Sequence, residues 1–283
     1  MPDVRFDDGL RALVSTEPWE TVADNLGFTE GPVWHPDGYL LFSDIPNSRI
    51  HRWRDGQLDV YREPSGQSNG LTFDLSMRLI ACEHENRRVS IERTGAAAAI
   101  AHAYEGKRLN SPNDVVIRSA GRVFFTDPPY GIKEEQRELP FNGVFSIESS
   151  GGLTLLATDF DRPNGLAFSP DERTLYVADT NRNHVRAFDV AADGGISNGR
   201  VFVTVREDGR PDGMKVDTDG RLYVCAKTVQ VFAPDGRPLG VIDCPQMPAN
   251  CAWGEDGSTL FITARTAVYK TRISATGIAP FLR

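Results

Sequence analysis

Six short segments of this chain begin alike. Thr29-Glu30-Gly31-Pro32-Val33-Trp34 is followed by Ser68-Asn69-Gly70-Leu71, Pro112-Asn113-Asp114-Val115, Pro163-Asn164-Gly165-Leu166, Pro211-Asp212-Gly213-Met214 and Ala249-Asn250-Cys251-Ala252. Each has an oxygen-bearing side chain at the same place, and successive ones lie 39, 44, 51, 48 and 38 residues apart. Behind each comes an apolar run, a turn such as Pro36-Asp37-Gly38 or Thr218-Asp219-Gly220, and a second apolar run. That is a hairpin signal. A third strand usually follows, as in 48–53 or 184–188, and often a fourth, as in 57–61. Periods of roughly 40–50 residues with about four strands each mark a β-propeller. The spacing therefore predicts an all-β, six-bladed β-propeller with four-stranded blades, and no sustained helical apolar period competes with it. The last repeat runs out near Ile273 after three strands, whereas residues 19–24 alternate like a strand ahead of the first repeat. That N-terminal strand is expected to close the last blade and remove an open edge. Residues 1–16 read as an N-terminal arm and 17–283 as a single propeller domain.

Composition narrows the partners. A net charge of -8 argues against a nucleic-acid partner, which would need a basic face. The acidic start of the chain lacks the apolar core of a secretory signal. The apolar run Ala96 to Ala101 is too short to span a bilayer. A cytoplasmic protein without a membrane partner is the expectation. Cys82, Cys225, Cys244 and Cys251 show no CxxC spacing and are read as reduced thiols.

In a propeller the residues just before the innermost strands face one another across the channel mouth. Here that ring holds two acids, Glu30 and Asp212, and four amides, Asn69, Asn113, Asn164 and Asn250. Carboxylates and amide carbonyls suit hard cations, and the two acids balance a 2+ ion. With no His or Cys in the ring, Ca²⁺ or Mg²⁺ is preferred to a dedicated zinc site. Four second strands end in an acid, Asp44, Glu83, Asp127 and Asp179, read as anchors for the turn before the third strand. Gly66-Gln67-Ser68-Asn69-Gly70 fits a nucleophile pattern but leads straight into a strand, without the helix an elbow requires. Asp217-Thr218-Asp219-Gly220 reads as a hairpin turn, and His35 as a turn-proximal residue. His84 is a candidate substrate contact.

The chain also resembles the gluconolactonase and regucalcin (senescence marker protein) family, and more distantly diisopropylfluorophosphatase. The matching stretches include Glu30 to Trp34, Ser68 to Phe73, Gly106 to Asp114, Phe125 to Gly131, Arg162 to Phe168 and Pro211 to Met214, within residues 20–275. The Asp-Pro-Pro-Tyr-Gly stretch ending at Gly131 is most similar to the bacterial gluconolactonase branch. The resemblance implies a divalent ion at the channel mouth with Glu30, Asn113, Asn164 and Asp212 as ligands. It also implies a substrate contact at Asn113, and another at Arg108 on a loop longer than the family's.

The resulting expectation is hydrolysis of a sugar lactone, an aldonolactone such as gluconolactone. The cation is Ca²⁺ by preference, with Mg²⁺, Mn²⁺ or Zn²⁺ as alternatives. It would polarise the carbonyl, and Asp212, or second Glu30, would act as base on water. The rival readings are a phosphotriesterase on the same site and a non-enzymatic propeller scaffold with a structural calcium.

Overall fold

The computed structural model describes residues 2–207 and 209–278. Among the described residues six antiparallel sheets of four or five strands follow one another along the chain, each running from an inner strand outward, with a small two-stranded hairpin of Ala103–Tyr104 and Lys107–Arg108 beside them. The first blade shows the scheme: Thr29–His35, Tyr39–Asp44, Arg49–Arg54 and Gln57–Arg62 pair in sequence order. The other inner strands are Ser68–Phe73, Val115–Ile117, Pro163–Phe168, Met214–Val216 and Pro248–Gly254. This is the six-bladed, four-stranded propeller that the repeat spacing predicts.

The sixth blade closes as expected. Glu20–Ala23 pairs with Ala267–Arg272, so strands from the two ends of the chain share one sheet. The N-terminal arm is also tied down: Asp3–Arg5 pairs with Pro238–Asp243 and adds a fifth strand to the fifth blade. The first residue of the arm and the last five of the chain lie outside the described residues.

The apolar core lies between the blades. Val33, Leu41, Leu71 and Phe73 join the first to the second, and Phe124, Val144, Leu166 and Phe168 join the third to the fourth. Trp34 and Phe261 stack at 5.4 Å between the first blade and the sixth. Inner strands are buried on both faces, and their apolar side chains are used up sideways against neighbouring blades. The axis is thereby left to polar groups at the head of each inner strand.

Candidate functional site

Glycine sets how closely the inner strands converge. A Cβ on Gly31 would lie 2.0 Å from the Asn69 carbonyl oxygen, and one on Gly165 would lie 2.3 Å from that of Asp212. The backbone bonds Gly70 N–H to Asn113 O (2.8 Å) and Gly165 N–H to Asp212 O (3.2 Å) then link neighbouring blades at the mouth. Hydroxyls on the second strands add to this. Ser43 Oγ donates to Asn69 O and Thr126 Oγ1 to Asn164 O, both at 2.8 Å.

The strand-ending acids prove to be anchors, with one correction. Three of them hold the loop before their own blade's inner strand, which places the ring residue. Asp44 accepts the backbone N–H groups of Gly27 and Phe28, Asp127 those of Asn110 and Ser111, and Asp179 those of Asp161 and Arg162. The expected tie to the turn before the third strand is made by Glu83 through Asn86, Arg88 and Ser90, by Asp44 through Asn47 and by Asp179 through Arg182. The reason is topological: the loop entering each blade passes over the end of the second strand, where its N–H groups need a buried acceptor.

The six ring residues meet. Asn69 Nδ2 donates to Asn113 Oδ1 (2.8 Å), Asn113 Nδ2 to Asn164 Oδ1 (2.6 Å), and the Asn164 amide reaches Asp212. On the other side Asn250 Nδ2 donates to Glu30 Oε2 (3.1 Å), which also accepts the Gly31 N–H (2.7 Å). Glu30, Asn69, Asn113, Asn164 and Asp212 line a cavity of about 570 Å³, while Asn250 braces Glu30 from the side.

Burial raises Glu30 well above the usual carboxylate range, and the charges of Asp212 and Asp114 push it further. Asp212 is pushed up to about 7, by burial first and then by Asp114. Asp114 occupies the place that glycine holds in four other repeats. It is itself raised by burial, and its Oδ2 has no hydrogen-bond partner among the described residues. Three carboxyls thus crowd the channel, with Lys215 as the nearby opposing charge on Asp114.

His84 sits at the edge of this ring. Its Nε2 lies 3.1 Å from Asn69 Nδ2 and its Nδ1 2.6 Å from Ser111 Oγ. Because Asn69 Nδ2 is a donor, Nε2 must accept, so the ring carries its proton on Nδ1. Burial pushes His84 down to about 4, which keeps it neutral. Arg108 lies elsewhere: it is exposed, its guanidinium reaches the Asn86 carbonyl at 3.4 Å, and it does not line the cavity. Ser68 is part of an inner strand and bonds Ser43 Oγ at 2.9 Å, with no nucleophile elbow. His35 accepts the Asp37 N–H in its turn, and Asp217 holds its own hairpin through the N–H groups of Asp219 and Arg221.

Sequence reasoning missed several lining residues: Tyr130, Arg162, Arg210 and Lys227. Tyr130 accepts from Asn164 Nδ2 at 3.2 Å, and the Arg162 guanidinium lies over its ring at 4.9 Å. Arg162 and Arg210 stand two positions ahead of Asn164 and Asp212, and that offset is the signal that could have found them.

The donor set fits a hard divalent cation. Buried Glu30 and half-buried Asp212 repel one another in one ring with amide oxygens, although among the described residues no group of three or more His, Cys, Asp or Glu is placed to hold a metal ion. Among the described residues no helix is long and apolar enough to cross a membrane.

Known proteins share this architecture. The chain is 34% identical to a gluconolactonase of Zymomonas mobilis, over 96% of this chain and 86% of that one. It is 28% identical to the pentonolactonase XacC of Haloferax volcanii, over 83% and 80%. The solved structure of a Xanthomonas campestris gluconolactonase superposes with a TM-score of 0.90 at 36% identity, covering 96% of this chain and 95% of that one. Residues 28–266 match the family described as SMP-30/Gluconolactonase/LRE-like region, and the chain belongs to that family.

Proposed function

We propose that this chain hydrolyses a sugar lactone, an aldonolactone such as gluconolactone, to the free acid. Glu30, Asn113, Asn164 and Asp212 would hold a divalent cation, Ca²⁺ by preference on the all-oxygen donor set. The observation that carries this reading is the Glu30–Asp212 pair. Both carboxyls are raised by burial and by negative charge, an arrangement that costs stability unless a cation offsets it. Like-named relatives, a gluconolactonase and a pentonolactonase, support the reaction class.

When bound, the cation supplies Lewis acidity toward the lactone carbonyl and charge for the developing oxyanion. The chain's own residues do the rest. Water attacks the carbonyl carbon, the ring C–O bond breaks, and the ring oxygen leaves as a hydroxyl. Asp212 is the first choice for the proton acceptor, since Glu30 Oε2 is already committed to Gly31 and Asn250. A value near 7 without a cation suits a general base, and a cation lowers it from there. Asn113 within the ring and His84 beside it would contact the substrate, whereas Arg108 stands outside the cavity lining.

The test is a panel of aldono-1,4- and 1,5-lactones assayed after chelation and after return of Ca²⁺, Mg²⁺, Mn²⁺ or Zn²⁺. Activity lost on chelation and restored by one of these ions is the expected result. Full hydrolysis without metal overturns the metal site, and no hydrolysis of any aldonolactone overturns the reaction.

A further inference from the structure

The cavity has two chemical zones. Its floor carries the acids Glu30 and Asp212, and no other carboxylate among the described residues lines it. Its rim carries three cations, Arg162, Arg210 and Lys227, contributed by the fourth and fifth blades. None of the three forms an ion pair within 4 Å among the described residues; Lys227 acts on Glu207 only at longer range, and Glu207 is paired with Arg5. Neutral groups hold two of them in place. Arg162 lies over Tyr130, and Arg210 donates through Nη2 to Asn181 Oδ1 at 3.3 Å, while Asn181 Nδ2 is drawn to Asp161 at 2.9 Å. Arg210 adopts a left-handed backbone at φ 54°, a conformation a non-glycine residue takes at some cost.

A protein of net charge -8 has no need of a cationic arc at a cavity mouth for solubility. At about 570 Å³ the cavity also falls in the range that accommodates drug-sized ligands, larger than an unsubstituted aldonolactone. The lactone carbonyl must reach the floor, so the remaining space and the cations lie at the far end of the ligand. Arginine forks are the protein's best match to a carboxylate or phosphate.

We infer that the rim formed by Arg162, Arg210 and Lys227 binds a second, anionic group on the substrate, so that the favoured lactone carries a carboxylate or phosphate at the carbon farthest from its carbonyl. This rests on the lactonase reading and names the substrate class within it.

The experiment compares kcat/KM for one neutral aldonolactone with its 6-phosphate and with the lactone of the corresponding aldaric acid, in the cation-loaded protein. The expected result is a preference of about tenfold or more for one of the anionic forms at low salt. That preference should shrink as KCl rises, because screening weakens exposed charges beyond roughly 10 Å at 0.1 M salt. Which anionic form is preferred separates a carboxylate from a phosphate. In the variant Arg162→Met/Arg210→Met/Lys227→Met the ratio of anionic to neutral kcat/KM should fall to about one, mainly through KM. A wild type that prefers the neutral parent, or a ratio that survives the triple substitution or high salt, overturns the inference and leaves the lactonase reading standing. Failure to hydrolyse any of the three lactones overturns the lactonase reading itself, and this inference with it. Should the triple variant not fold, the wild-type preference and its salt dependence decide alone.

Discussion

Asp127 accepts the backbone N–H of Ser111 at 2.7 Å, and Ser111 Oγ in turn lies 2.6 Å from His84 Nδ1. Since His84 Nε2 touches Asn69 Nδ2, a structural acid at the end of a second strand is three contacts away from that ring amide. Asp127 also accepts the Asn110 N–H at 2.7 Å. Asp127→Ala leaves two buried donors without partners, at ~1–3 kcal/mol each. Urea unfolding should show a loss of that size, with lactonase activity falling alongside it. An unchanged unfolding midpoint would mean that this carboxylate does not anchor the loop.

Glu30→Gln and Asp212→Asn test the ring from the opposite side. Each removes one of two mutually repelling carboxylates. In the absence of divalent ions the variants should unfold at higher temperature than wild type. Calorimetric Ca²⁺ titration should show at least ~100-fold weaker binding, and hydrolysis should fall by a similar factor. Stability and activity moving in opposite directions is the signature of a site held at a cost. Variants that bind Ca²⁺ as tightly as wild type would place the ion elsewhere.

The same pair predicts a pH dependence with a definite sign. Asp212 lies at about 7 in the folded protein against an ordinary value of 3.8. Across that window the folded state holds a proton that the unfolded state has released. Its contribution to stability therefore falls as pH rises from about 4 to about 7, and levels off above. The size is on the order of a few kcal/mol. Asp127, also pushed up to about 7 by burial, acts in the same window, so the comparison with Asp212→Asn isolates the share of Asp212. Metal-free wild type should lose stability relative to Asp212→Asn between these pH values, and saturating Ca²⁺ should abolish the difference. A difference that stays constant with pH would show that Asp212 titrates normally.

Much of this was legible in the sequence because propeller information is local. Each hairpin declares itself within one repeat, and Glu30 and Asp212 stand out by comparison with Asn69, Asn113, Asn164 and Asn250 at equivalent positions. The anchoring role of Asp44, Asp127 and Asp179 was half legible: the acid is visible, but its partners belong to the loop entering the blade, 16 to 18 residues earlier. Arg162 and Arg210 were legible only as a shared offset two positions ahead of Asn164 and Asp212, Lys227 carries no such signal, and ring closure alone brings the three to one rim. Asp114 was hidden differently. Its place in the repeat belongs to glycine in four of the other five, and only burial against Glu30 and Asp212 gives it electrostatic weight.

Gly165 offers a final test of whether blade convergence builds the site. Its N–H bonds Asp212 O at 3.2 Å, and an added Cβ would stand 2.3 Å from that oxygen and 2.7 Å from Gly213 Cα. Both obstacles are backbone, so they cannot swing aside, and Gly165→Ala must separate the fourth and fifth blades at the mouth. The expected cost is ~1–3 kcal/mol, together with weaker Ca²⁺ binding, because Asn164 and Asp212 flank the strained contact. Gly38→Ala is the matched control: at φ 83° in a hairpin with open space around it, it should cost only about 1–2 kcal/mol of backbone strain. Its Ca²⁺ affinity should equal that of wild type. Equal Ca²⁺ affinity in both variants would show that the ring tolerates blade separation, and that the close approach at Gly165 serves packing alone.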